Sequence, residues 1–234
     1  MRQSHAVASR SPAPRFEAVP CYSATPHSAL QTRTLTLTRL STILLTAFEP
    51  YGRWTTNASY LALIELSRDL PSSPQITTRV LPVDYDVVKG RLAEDLSADY
   101  DYVLHLGQAP GSAQIQLEAI GLNVACEEAA GIDQRLCDDG PLAYRSTLPL
   151  FEWAERIRAA GIPAEVSFHA GTYLCNAALY LTHYYIERMR LKTQAVFIHL
   201  PLDPTQVPAE KENMPSVSAG VSAKAIRTLL ETLG

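Results

Sequence analysis

The chain has 234 residues, 47% of them hydrophobic and 19% charged, with a formal net charge of −4; it can bury one sizeable core, and its charge gives no general attraction to nucleic acid or to an anionic lipid surface. No uninterrupted apolar run reaches the length of a membrane-spanning helix. Cys21, Cys126, Cys137 and Cys175 lie at irregular spacing, which makes neither a CxxC metal pattern nor a dense disulfide framework and points to a reducing compartment, the cytoplasm.

Residues 1–40 differ from everything after them. They are rich in Ser, Pro, Thr, Ala and Arg, and up to Thr38 Glu17 is the only acidic residue. They read as a disordered N-terminal extension ahead of a single domain over residues 41–234. The arginines faintly resemble those of an organelle transit peptide, but a start site assigned too far upstream accounts for them as well and is preferred. Within the domain, Ser41–Ala47 is a β-branched and apolar run suited to a strand covered on both faces. Phe48–Gly52 turns the chain. Asn57 caps a helix through Leu61, Ile64 and Leu66 that stops before Pro71. Ile76–Val83 is a second strand, and Asp84 caps a helix through Val87, Val88, Leu92 and Leu96. Tyr102–Leu106 is a third strand, ending in the turn Gly107–Gly111. Ile115–Val124 reads as extended chain, a hairpin arm, and residues 125–141 as a long loop. Leu148–Ala160 is helical and ends at Gly161. Ala164–Phe168 and Gln194–Leu200 are strands on either side of a helix, and a closing helix through Ala225, Ile226 and Leu229 starts at Ser216 or Ser218. This alternation predicts an α/β fold: one domain, a mostly parallel twisted sheet with helices on both faces.

The stretch from Val166 to Tyr184 carries the chemistry. It reads strand, tight turn at Gly171, then a helix with Leu174, Ala178, Leu181 and Tyr185 at helical spacings and Cys175 in its first turn. Unpaired backbone N–H groups and the positive dipole end of a helix start favour a thiolate over a thiol. A cysteine in an apolar helix is ordinarily a core filler, so partners must decide. In a parallel sheet functional groups gather beyond the carboxyl ends of strands, which singles out Cys175, His199 and Glu118. Thiol, imidazole and carboxylate are the parts of an activated nucleophile. Each has a plainer reading: His199 as a satisfied core histidine, Glu118 as a solvated face. His105, His169 and His183 compete for the same role, and a metal site from His169, Cys175 and His183 fits no established spacing.

Several blocks in order settle the choice. They are Thr46-Ala-Phe-Glu-Pro-Tyr-Gly52 with Asn57-Ala-Ser59, Gly107-Gln-Ala-Pro-Gly111 followed by Ile115 to Asn123, and Asp139-Gly-Pro-Leu-Ala-Tyr-Arg-Ser-Thr-Leu-Pro149. Ala170-Gly-Thr-Tyr-Leu-Cys-Asn176, Phe197-Ile-His-Leu-Pro201 and Met214-Pro-Ser-Val-Ser218 complete the series. Together they resemble the pyroglutamyl peptidase I family, the pyrrolidone-carboxylate peptidases, from Ile43 to the end. The resemblance implies Cys175 as nucleophile, His199 as general acid/base and Glu118 as the orienting carboxylate of a cysteine exopeptidase. Its substrates would be peptides bearing an N-terminal pyroglutamyl residue, its intermediate a thioester, with no metal or other cofactor, no nucleic acid and no membrane as partner. Members of the family often form dimers or tetramers, so a homo-oligomer is implied.

Pyroglutamate is a neutral lactam without an amine, so its pocket should be a small apolar slot with a few hydrogen bonds to the ring amide. Phe48 and Tyr51 are expected to wall it, Gln108 to hold the lactam by backbone or side chain, and Asn57 to stand with them. Proline, which lacks the ring carbonyl, should be rejected. The sequence also departs from the family. Ala47, Tyr51, Ala58 and Phe168 replace its Gly, Phe, Pro and Asn, and Ala119 stands where bacterial members usually carry arginine after the glutamate, removing a charge near the site. Two further readings therefore stand beside the first: a catalytically weakened relative that binds a lactam or peptide N-terminus, and a thiol amide hydrolase of altered specificity.

Overall fold

The structure is a computed structural model and describes residues 39–127, 132–207 and 213–234; the extension read over residues 1–40 lies outside the described residues except for Arg39 and Leu40. β1 (Thr42–Phe48) is apolar along its length because both its faces are covered: Ile43, Leu45 and Ala47 enter one core, while Leu44 and Phe48 enter the layers opposite. α1 (Ala58–Ser67) begins where the Asn57 side chain accepts from Ser59 N–H, and α2 (Tyr85–Leu96) where Asp84 accepts from Val87 N–H. Between them β2 (Gln75–Leu81) forms an edge of the sheet and stops before Pro82, which has no N–H to give the ladder.

β3 (Tyr102–Gln108), β4 (Ile115–Glu118), β9 (Ala164–Ser167) and β10 (Gln194–Leu200) complete a six-stranded sheet in the order β2-β1-β3-β10-β4-β9. β2, β1, β3 and β10 run parallel, β4 runs antiparallel to β10, and β9 runs parallel to β4. The last strand among the described residues thus lies in the middle of the sheet. α1, α3 (Leu150–Ala159) and α5 (Ala219–Leu230) bury Leu66, Trp153, Ile157 and Ile226 against one face. α2 and α4 (Leu174–Met189) bury Val88, Leu92, Leu174 and Leu181 against the other. This is the three-layer α/β arrangement expected from the sequence.

Two segments differ from expectation. Residues 115–124 are not a hairpin arm: β4 joins the main sheet and β5 (Ile120–Leu122) turns away to pair with β8 (Ala143–Arg145). The segment 125–141 contains a small ladder of β6 (Ala125–Glu127) with β7 (Ile132–Gln134). Among the described residues no helix is long and apolar enough to cross a membrane.

Candidate active site

The site forms where β3 and β10 end. Register pairs His199 with Gly107, and His199 shares its strand face with Phe197, whose ring centroid lies 4.8 Å away. A Cβ at position 107 would stand 2.4 Å from the Phe197 ring edge and 3.3 Å from Cys175 Sγ. Only glycine lets the thiol and that fully buried ring meet here. Gly107→Ala is expected to lower stability by about 1–3 kcal/mol and to push His199 out of line; denaturant melts and turnover with wild-type values in both would show that the ring has room to move.

Glu118 arrives from the neighbouring antiparallel strand. His199 Nδ1 lies 2.7 Å from Glu118 Oε1, with the histidine 8% and the glutamate 1% exposed. Nδ1 being so engaged, Nε2 is the nitrogen left for the thiol. Burial by itself pulls the His199 pKa down, but the charge and hydrogen bond of Cys175, followed by the hydrogen bond and charge of Glu118, outweigh it and raise the value to about 9. The ring therefore keeps its proton through neutral pH.

Cys175 reaches this point through a turn, because β9 runs against β3 and β10. Gly171, at φ +78°, reverses the chain, and α4 starts with no acidic residue in its first turn, so its dipole acts on the thiol unopposed. The first intrahelical bond is donated by Ala177 N–H to Tyr173, which leaves the N–H groups of Leu174, Cys175 and Asn176 without helical acceptors. Asn176, next to the nucleophile, clamps β5 as a neighbouring strand would: its Oδ1 accepts from Leu122 N–H at 2.7 Å and its Nδ2 donates to the Leu122 and Val124 carbonyls, each at 2.9 Å. Cys126 N–H adds a bond of 2.8 Å to the Thr172 carbonyl.

Beside the thiol opens a narrow slot lined by Phe48, Tyr51, Asn57, Gln108, Tyr173 and Cys175 among others. All four residues expected to hold the ring are in its wall. Burial, then the nearby Cys175 charge, pushes the Tyr51 phenol up to about 12, so it stays protonated. Asn57 lines the slot, but its Oδ1 serves Ser59 and its Nδ2 donates to the Glu49 carbonyl at 3.0 Å, so its part is to shape the wall. Gln108 Oε1 accepts from Ala58 N–H at 2.8 Å and from Gln206 Nε2 at 2.6 Å, while its own Nε2 has no acceptor. Gln206 escaped notice in the sequence, although Asp203-Pro-Thr-Gln206 there spells a capping box.

The competing histidines are placed elsewhere. His105 is buried between the Thr46 and Thr182 hydroxyls at 2.7 and 2.8 Å, and burial holds its pKa down to about 3. His183 stacks on Tyr144, and burial lowers it to about 4. His169 is exposed on the turn, where its Nδ1 accepts from Gly171 N–H. Among the described residues no three His, Cys, Asp or Glu side chains stand together as metal ligands. Ala119 is 2% exposed in the apolar core, on the face of the strand opposite Glu118. An arginine at this position would therefore leave the chain on the far side of the sheet, not beside the triad.

Residues 41–233 match the family model described as pyroglutamyl peptidase. The chain is similar to pyrrolidone-carboxylate peptidase 1 of Caldanaerobacter subterraneus subsp. tengcongensis, at 35% identity over 82% of this chain and 97% of the relative. Its fold is similar to the crystal structure of the pyrrolidone carboxyl peptidase of Fervidobacterium islandicum, with a TM-score of 0.78 and 34% identity over 82% of this chain and 98% of that one. The enzyme of Thermococcus litoralis gives a TM-score of 0.75 and 31% identity, over 83% and 93% of the two chains.

Proposed function

The chain belongs to the pyroglutamyl peptidase family, and from that premise we propose that it is a cytoplasmic cysteine exopeptidase that removes an N-terminal pyroglutamyl residue from peptides. The observation that carries this reading is the His199–Glu118 contact beside Cys175 at the mouth of an apolar slot. In this reaction the Cys175 thiolate attacks the carbonyl carbon of the pyroglutamyl residue. The tetrahedral oxyanion is stabilised by the free N–H groups at the start of α4. His199 gives its Nε2 proton to the leaving amine, and the C–N bond breaks to leave a thioester. A water molecule then attacks the thioester, His199 takes its proton, and free pyroglutamate departs as the thiolate–imidazolium pair is restored. A protein that only bound a lactam would gain nothing from burying Glu118 against His199, an arrangement that carries a large desolvation penalty.

The test is hydrolysis of a fluorogenic pyroglutamyl amide beside the matching prolyl amide, with EDTA throughout and with or without prior iodoacetamide. Release from the pyroglutamyl amide alone, lost on alkylation, is the expected outcome; equal release from both amides would point to a hydrolase of other specificity. A pH series adds a second reading. Because the His199 proton is held up to about pH 9, turnover should fall as pH rises through that value, when the leaving amine loses its acid. Turnover still climbing at pH 10 would mean that another group protonates the amine.

A further inference from the structure

We propose that Gln206, which belongs to neither the triad nor the slot lining, is a positioning residue for lactam recognition: it fixes the Gln108 amide so that its N–H groups face the slot. The inference rests on the peptidase reading above. The orientation of both amides follows from backbone groups that can only donate. Ala58 N–H points at one end of the Gln108 amide from 2.8 Å, so that end is the oxygen. Asp203 N–H points at one end of the Gln206 amide from 2.8 Å, so that end is also oxygen. The Gln206 nitrogen is then left to donate to Gln108 Oε1 at 2.6 Å and to the Thr56 carbonyl at 3.0 Å.

Gln108 is 3% and Gln206 8% exposed, so neither amide can exchange these bonds for water. With two donors on Oε1, a flip of Gln108 would put its NH2 against Ala58 N–H and Gln206 Nε2, leaving three donors facing one another. The amide nitrogen is thereby committed to the slot that Gln108 lines beside Cys175. Tyr51 is near enough for the Gln108 amide to favour its ionised form, yet no bond of full hydrogen-bonding geometry forms, and Nε2 remains a buried donor without an acceptor. A buried unpaired donor is costly. A ring carbonyl of a five-membered lactam supplies the missing acceptor, and the prolyl ring, having none, leaves the penalty in place. Gln206 is itself locked from behind: Asp203 accepts from Thr205 N–H and from Ala219 N–H at the start of α5. The polarity of the slot is therefore set from the loop that follows β10.

The experiment uses the unsubstituted lactam, 2-pyrrolidone, as the probe and reads its protection of Cys175 from iodoacetamide in the full chain. In wild type, 2-pyrrolidone should slow alkylation. In Gln206→Met the concentration giving half protection should rise about tenfold, the scale of one lost hydrogen bond to a buried group, while the alkylation rate without lactam reports that the thiol is intact. In a Gln108→Ala background the same Gln206→Met change should shift half protection by less than about twofold, because a residue that acts through another has nothing left to act on. Undiminished protection in Gln206→Met, or a tenfold loss that persists without the Gln108 side chain, overturns the proposal. No protection of wild type overturns the lactam reading itself, and the inference falls with it. Should Gln206→Met fail to fold, the side-chain amide NMR signal of Gln108 in wild type decides: it should move on addition of 2-pyrrolidone, and a signal that stays fixed while those of other slot residues move refutes the assignment.

Discussion

Cys175→Ala is expected to reduce kcat/KM for a pyroglutamyl amide by at least about 10⁴-fold, to the level left by binding and oxyanion stabilisation alone, while the lactam still binds. The change removes the sulfur and little else. Leu174 and Ala177 hold the first turn of α4 in the core, and Asn176 keeps its bonds to Leu122 and Val124. The loss should therefore fall on turnover and not on the fold, and calorimetry with 2-pyrrolidone should return a wild-type affinity. The same variant has a second signature. Burial alone lowers the His199 pKa, and the Cys175 charge is the first of the opposing influences. Without the thiolate, the imidazole should titrate below its wild-type value of about 9, which an NMR pH titration of the ring protons would read. Turnover above about one per cent of wild type would remove Cys175 from the mechanism.

Glu118→Gln should produce the second largest loss, about 10²–10⁴-fold in kcat. The carboxylate sits 2.7 Å from Nδ1 at 1% exposure, where its charge is little screened by solvent. Glutamine keeps the size and discards the charge. Either its oxygen accepts from Nδ1–H and no charge balances the imidazolium, or its NH2 meets Nδ1 and fixes the wrong tautomer. In both cases the hydrogen bond and charge of Glu118 that help raise the His199 pKa are gone, so the alkaline fall in rate should begin below pH 9. A variant with wild-type kcat and an unmoved alkaline limb would reduce Glu118 to a filler.

The sequence disclosed those features that are written locally. The caps at Asn57 and Asp84 could be read from single residues and lie at the helix starts they announced, while of Ser216 and Ser218, both open for the closing helix, it is Ser218 that caps it. The continuous apolar strand Gln194–Leu200 was legible because both its faces are buried, and so was the first strand, read over Ser41–Ala47, although it runs from Thr42 to include Phe48, which was read as part of the turn. Strand direction was not, since a short alternating run looks the same whichever way it enters a sheet; hence Ile115–Glu118 passed for a hairpin arm. Glu118 itself looked like a surface residue because its partner lies 81 residues away. Without the family blocks nothing nearby marks it as buried. Ala119 shows the converse: adjacent in sequence to Glu118, it lies on the other face of the sheet, and adjacency alone suggested an electrostatic role that the alternation of strand side chains denies. Gln206 was overlooked, and Gly107 was read only as the start of a turn, because a polar residue in a loop and a glycine at a strand end are ordinary until their neighbours are known.

The place of β10 has a consequence for the nascent chain. Residues 194–200 leave the ribosome after the other described strands, yet they fill the gap between β3 on one side and β4 on the other. Until they emerge, β3 has paired on one side only, and the strand bearing Glu118 has β9 alone as a partner, apart from the main sheet. The growing polypeptide must therefore wait with an open, apolar edge, the kind of intermediate that recruits chaperones or aggregates. The same event that closes this edge delivers His199 to Cys175. Proteolytic activity thus cannot precede completion of the sheet, and a ribosome that stalls before residue 200 releases a product that is both inert and adhesive.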